Sequence, residues 1–266
     1  MGRTRTRSRW NSTSVWLSGA ALAGVLALGG YALLSGGDEG DEAGKAEAGS
    51  SASADPKPSQ SYEAPQDWTD PKRWSALPRG ERTDERGSQV GFPQTAEGAV
   101  AMMAAANMTA IEGATTNDDE QLRLYYSYIG RPDQSEAAAE RVEQGAITNG
   151  KSIWRSMGLK PGAPLPAGAY MRTHVVGFQF IKKSPDEVTA WVLGMETQKA
   201  GETQEEKVSY TRTLLGAQWQ DGDWKLAVEA TRHAQDDTQG KPEPEMVAVG
   251  DAAFNSAGWT AIREAS

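Results

Sequence analysis

The chain has 266 residues, with 27 Lys and Arg against 36 Asp and Glu, two His and no Cys, for a net charge of −9. The absence of cysteine excludes disulfide staples and thiolate chemistry, so any folded part must hold itself together by burying apolar surface. Four arginines fall in the first fourteen residues, and the 23 basic residues left against 36 acids put the rest at −13 with no dense basic run after Arg9. Direct nucleic-acid binding, which draws on a basic patch and counterion release, is therefore not expected.

Residues 1–14 carry Arg3, Arg5, Arg7 and Arg9, and Val15 to Leu34 follow without one charged side chain. Twenty helical residues at ~1.5 Å rise span the ~30 Å hydrocarbon core of a bilayer, where a helix satisfies every backbone polar group. The spacing predicts a single transmembrane helix over 15–34. The arginine bias predicts a cytoplasmic tail, 1–14, and an extracellular C-terminal part in a single-pass protein of the cell membrane. A cleaved secretory signal is the competing reading. Its apolar core would run only ~7–15 residues with a small-x-small site close behind, whereas the nearest good triplet here, Ala52-Ser53-Ala54, is far downstream. Gly19, Gly24, Gly29 and Gly30 within the span offer close helix approach and hence self-association.

Residues 35–66, built of Gly, Ser, Ala, Asp, Glu, Lys and Pro, cannot bury enough surface to offset ordering and read as a disordered linker. A flexible coil of that length has an end-to-end distance of roughly 30 Å. Residues 67–92 read as an arm, in which Trp68 and Trp74 sit among Asp70, Pro71 and Pro78. Two tryptophans in extended chain need an apolar partner, either this protein's own domain or a neighbouring subunit.

Residues 93–266 are predicted to form one extracytoplasmic α+β domain. A first helix opens at Thr95 as N-cap with Glu97 in its first turn, and Ala96, Val100, Met103, Ala104, Asn107 and Ile111 follow one face. Asn117 to Glu120 announce a second helix with Leu122, Tyr125, Tyr126 and Ile129 on one face. A third begins near Pro132-Asp133, with Asp133 and Glu136 in capping-box register, and runs through Val142 and Ala146 until Asn149-Gly150 weakens or ends it. The period then changes. Tyr170, His174, Val176, Phe178 and Phe180 alternate with Met171, Thr173, Val175 and Gln179, and a second run covers Val188 to Thr197, with Lys183-Ser184-Pro185-Asp186 as the turn between them. A third run, Lys207 to Gln218, leads into Trp219-Gln220-Asp221-Gly222-Asp223-Trp224. Asp-Gly suits a two-residue type I′ turn and would place Trp219 opposite Trp224, with Leu226 and Val228 continuing that face. Four long antiparallel strands after a helical layer describe helices packed on a curved antiparallel sheet. The last segment, 241–266, brings Phe254 and Trp259, which pack on the domain or, if exposed, mark an interface with Trp68 and Trp74.

Chemistry is sparse. His174 and His233 fall in no metal-ligand spacing; His174 reads as a rim or core histidine, and His233 as a solvated residue at the end of the last strand. Asp221 and Asp223 are explained by the hairpin rather than by a metal, and no phosphate-binding Gly-x-x-x-x-Gly-Lys-Ser/Thr is present. No catalytic residue, cofactor or metal is expected.

The Thr95-Ala96-Glu97-Gly98-Ala99-Val100 helix opening and the Trp219 to Leu226 hairpin resemble elements of the nuclear transport factor 2-like fold. The opening after Gly91-Phe92-Pro93 is similar to that of membrane-anchored proteins of Gram-positive conjugative transfer systems. The layout of short tail, span, linker and exported domain resembles the bitopic scaffold subunits of conjugation and type IV secretion machines. This resemblance implies a non-enzymatic scaffold, an oligomer or a partner of other channel subunits. The alternative is an exported isomerase or hydrolase using a cavity in the sheet, with His174 or a nearby acid as base. A sensor would need a cytoplasmic module larger than fourteen residues.

Overall fold

The first amides of a helix have no partner within it, and at the first three helices a short polar side chain just ahead of the helix supplies one. The computed structural model describes residues 67–263; the tail, the apolar segment 15–34 and the linker lie outside them. Thr95 Oγ1 accepts from Gly98 N to open helix α1, Ala96–Ala105. Thr116 and Asp119 form a reciprocal capping box at α2, Asn117–Tyr128, and Ser135 Oγ caps α3, Glu136–Ser156. Among the described residues no helix is long and apolar enough to cross a membrane.

Each helix departs from its predicted course. Asn107 returns its amide to Met103 O and ends α1, so Ile111 lies instead in a strand, β4, Thr109–Glu112. In α2 the buried face is Gln121, Leu124, Tyr125 and Tyr128, while Tyr126 is exposed. Of the predicted stripe, Tyr125 and Ile129 are buried and Leu122 packs half-buried against the main core, so only Tyr126 falls outside it. Arg131–Asp133 form a separate 3-10 turn, and α3 continues past Asn149-Gly150 to Ser156. There the buried Asn117 side chain donates to Ala146 O and tertiary packing overrides the weak propensity of Gly150.

The sheet is built on three long strands, β5 (Ala169–Lys183), β6 (Glu187–Ala200) and β7 (Lys207–Gln220), joined by antiparallel hairpins. A fourth, β8 (Asp223–Leu226), is short, contrary to the expectation of four long strands. Chain through the arm adds β1 (Trp74–Ala76), which runs parallel to the C-terminal β9 (Thr260–Arg263), giving the order β1-β9-β5-β6-β7-β8 with β4 also on β5. A separate two-stranded hairpin, β2 (Arg82–Thr83) with β3 (Gln89–Val90), completes the arm. The fold is thus α+β with a curved, mostly antiparallel sheet. Asp221 at φ 53° and Gly222 at φ 81° make the predicted tight turn, and Trp219 and Trp224 face each other edge to face at 5.5 Å. Val228 does not continue that strand but starts α4, Val228–Thr238.

Two bulges in β5, between Val175 and Gly177 and between Phe180 and Lys182, bend the strand and reset which face its side chains occupy. Before the first bulge Met171, Thr173 and Val175 are buried on the inner face; after it Phe178 joins them, and His174 and Val176 lie on the outer face. The predicted common face of His174, Val176 and Phe178 is therefore split. The inner face meets α1 and α2 in the main core, around Met102, Met103, Leu124, Tyr125 and Trp224. The outer face carries Leu193 and Val176 under the C-terminal segment, where Phe254 of α5 (Ala252–Ser256), Trp259 and Ala261 form a second core. Gly216 lies where α4 crosses β7 so closely that a Cβ would collide with the Ala230 backbone.

Candidate functional site

The arm is fastened to the outer-face core by hydrogen bonds across more than 180 residues of sequence. Thr69 N donates to Gly250 O at 2.7 Å. Lys72 N donates to Asn255 Oδ1 at 2.7 Å, and Asn255 Nδ2 returns a bond to Asp70 O at 3.1 Å. The Arg73 guanidinium donates to the carbonyls of Gly258 and Trp259. Gly250, at φ 95°, leaves the space in which the Trp68 ring lies. That ring is 59% exposed even so, its Nε1 fixed on Asp70 Oδ1 at 2.8 Å. Trp74 is 38% exposed on the edge strand β1, with the Arg263 guanidinium over its ring at 4.8 Å. The structure therefore unites the two arm tryptophans with the C-terminal segment. Phe254 and Trp259 are themselves fully buried, and Trp259 Nε1 donates to Glu245 O; they support the surface from beneath and do not form it.

The β2–β3 hairpin is held by a second set of contacts. Asp84 accepts from the Ser127 hydroxyl at 2.7 Å and from the Ser88 and Arg86 amides. Burial alone would raise the Asp84 carboxyl, but these hydrogen bonds outweigh it and hold it below the usual range. Arg123 spans Glu120, Ser88 Oγ and Met108 O, while Glu120 also accepts from Ala110 N. Asp223 is buried, accepts from Phe92 N and Trp224 N and pairs with Lys225 at 3.1 Å. It is a clamp between the arm and β8, and Asp221 serves the turn. These clusters are engaged in holding the fold.

Of the two histidines, His174 is where a rim histidine is expected and His233 is not. His174 is half-buried on the outer face. His233 is not at a strand end but in α4, where Nδ1 meets Glu187 Oε2 at 3.0 Å and Nε2 meets Glu229 Oε1 at 3.1 Å. Burial opposes ionisation of Glu187, yet Lys182 and His233 prevail and lower its carboxyl. A shallow open groove lies elsewhere, between Glu112, Gly168, Tyr170, Arg172 and Lys199. Arg172 in it is paired with Glu112 and stacked on Tyr170. Among the described residues no three His, Cys, Asp or Glu side chains converge as a metal centre would require.

One polar group on the inner face had no counterpart in the sequence reading. Glu196 is 3% exposed and its register partners are Thr173 on β5 and Ser209 on β7; Thr173 in turn is opposite Thr109 on β4. Gln198 Nε2 donates to Glu196 Oε1 at 2.6 Å. Burial pushes this carboxyl up, with the Gln198 bond opposing only in part. The signal was present in the period-2 series Val188, Ala190, Val192, Gly194, Glu196, Gln198, where an acid continues an apolar face. Comparison of the chain with known protein families, with curated proteins and with solved structures gives no match.

Proposed function

We propose that this chain is a non-enzymatic, membrane-anchored scaffold subunit of a conjugative DNA-transfer or related type IV secretion-like channel, which docks to other subunits or to a second copy through its arm. The observation that carries the docking is the rigid presentation of Trp68 and Trp74. Apolar rings left in water are costly, and large aromatic side chains beside arginine are what protein interfaces concentrate at their centres. β1 adds a sheet edge beside Trp74, and an edge strand can accept a further strand from a partner. The membrane anchor rests on the uncharged segment 15–34, and the transfer channel on the resemblance of the Thr95–Val100 opening, the Trp219–Leu226 hairpin and the layout of the chain. A nuclear transport factor 2-like fold is the finer reading of the curved sheet with helices before it.

The isomerase or hydrolase alternative has one observation in its favour, the inward-facing Glu196. Its immediate neighbours are hydroxyl and amide groups of the sheet, so an acid with no accompanying apolar cleft carries less weight than the exposed tryptophans. The test is a photo-crosslinking amino acid in place of Trp74 in the full-length protein in cells. Light-dependent adducts with other membrane subunits or with a second copy are expected, and adducts with neither would defeat the proposal.

A further inference from the structure

We propose that Glu196 is a proton-binding site that latches the C-terminal half of α3 and the following residues 157–168 over the inner face of the sheet. With the carboxyl protonated the cover is shut, and release of that proton to solvent opens it. This inference is independent of the scaffold reading and begins with the location of the acid. Glu196 lies in a polar row, Thr109, Thr173, Glu196 and Ser209, that crosses four strands. The Thr173 hydroxyl is buried without a hydrogen-bond partner, and Thr211 is the buried register partner of Gly194, next on the same face.

Among the described residues no charged side chain lies close enough to compensate an ionised Glu196. From β5 it faces Thr173, from β7 Ser209 and Thr211, and from β4 the row continues in Thr109. From α3 comes Ser156, whose hydroxyl donates to Ile153 O at 2.8 Å and lies 3.3 Å from Gln198 Oε1. Glu120 of α2 is committed to Arg123 and the Ala110 amide, and Lys207, the register partner of Gln198, is exposed. The environment of the carboxyl thus consists of burial and one amide donor. A buried carboxylate without a counter-charge is strongly disfavoured, and the structure relieves it either by keeping the proton or by admitting water.

Water enters where the covering element is held least. α1 and α2 are anchored in the main core, whereas the end of α3 rests on a small separate cluster of Ile153 with Ile111 and Met171, joined by Trp154, Met157 and Leu165. The segment after it folds back on the helix, with Trp154 Nε1 donating to Ala163 O. Ser156 brings the end of the cover to within 3.3 Å of the Gln198 amide oxygen, and Gln198 in turn donates to the acid. Regions with few buried apolar contacts open locally before the fold as a whole.

The chain contains no cysteine, so Ile153→Cys in the full-length protein places one thiol beneath the cover. Its alkylation by iodoacetamide is followed from pH 6 to 9 in the wild-type background and with Glu196→Gln, which keeps the shape and cannot ionise. The ratio of the two rates cancels the intrinsic chemistry of the thiol. The ratio is expected to be near one while Glu196 holds its proton, and then to rise by up to about tenfold per pH unit. A ratio that does not change with pH overturns the proposal. A second measurement does not depend on the thiol variant: the carboxyl carbon resonance lost in Glu196→Gln is expected to titrate above those of the other glutamates. Titration together with them also overturns it.

Discussion

Asn255→Ala is expected to release the arm while leaving the rest of the fold intact. The side chain closes two hydrogen bonds to arm backbone, accepting from Lys72 N at 2.7 Å and donating to Asp70 O at 3.1 Å. At a net contribution of about 0.5–1.5 kcal/mol each, their loss shifts local opening by about 1–3 kcal/mol. With a tenfold change for every ~1.4 kcal/mol, the open population grows roughly 5- to 150-fold. Lys72 and Arg73 lie in the released stretch, so limited trypsinolysis reads that population when opening and closing are fast relative to cleavage. Global urea unfolding should lose no more than the same ~1–3 kcal/mol, because Asn255 contributes to neither buried cluster. Cleavage within twofold of wild type would show that these bonds do not hold the arm. A loss of global stability well above the shift in local opening would show that Asn255 does more than hold the arm.

Asp223→Ala leaves the Phe92 and Trp224 amides without their acceptor and Lys225 without its counter-charge; a loss of about 3–5 kcal/mol in urea unfolding is expected, and a loss below 1 kcal/mol would contradict the clamp. The Glu187 carboxyl is lowered from 4.5 in the folded chain, so its contribution to stability is fully present above that value and disappears as pH falls through the folded titration. Thermal melts at pH 7 and pH 3.5 should therefore differ by less in Glu187→Gln than in wild type, and an unchanged difference would remove Glu187 from the acid response.

Features set by neighbours in sequence were legible. The Asp221-Gly222 turn dictates its own hairpin, and the Trp219 to Trp224 pairing follows from the loop length alone. The Ser184-Pro185 turn between β5 and β6 is of the same kind. Features that depend on distant chain were not. β1 has three residues and exists because β9, at the other end of the domain, offers it an edge. The bulge at Val176 leaves the alternation of residue types intact while exchanging the faces beyond it, so His174 and Phe178 were placed together. α4 has no side-chain N-cap of its own; Val228 N is satisfied by Asp133 Oδ2, and only the Glu229, Arg232 and His233 spacing marked a helix there. Of the candidate site, Trp68 and Trp74 stood out by residue type, but their support by Gly250 and Asn255 and the burial of Phe254 and Trp259 required the tertiary fold. Glu196 was hidden because a single acid in a strand ordinarily faces water.

The claim that the arm is a docking surface is tested most directly by the size of the particle extracted from membranes. Sedimentation of the full-length protein in mild detergent should give a larger assembly for wild type than for the Trp68→Ser, Trp74→Ser double variant, with the domain of the variant still folded because both rings lie outside the two buried clusters. Equal sedimentation of the two proteins, with both correctly folded, would contradict it.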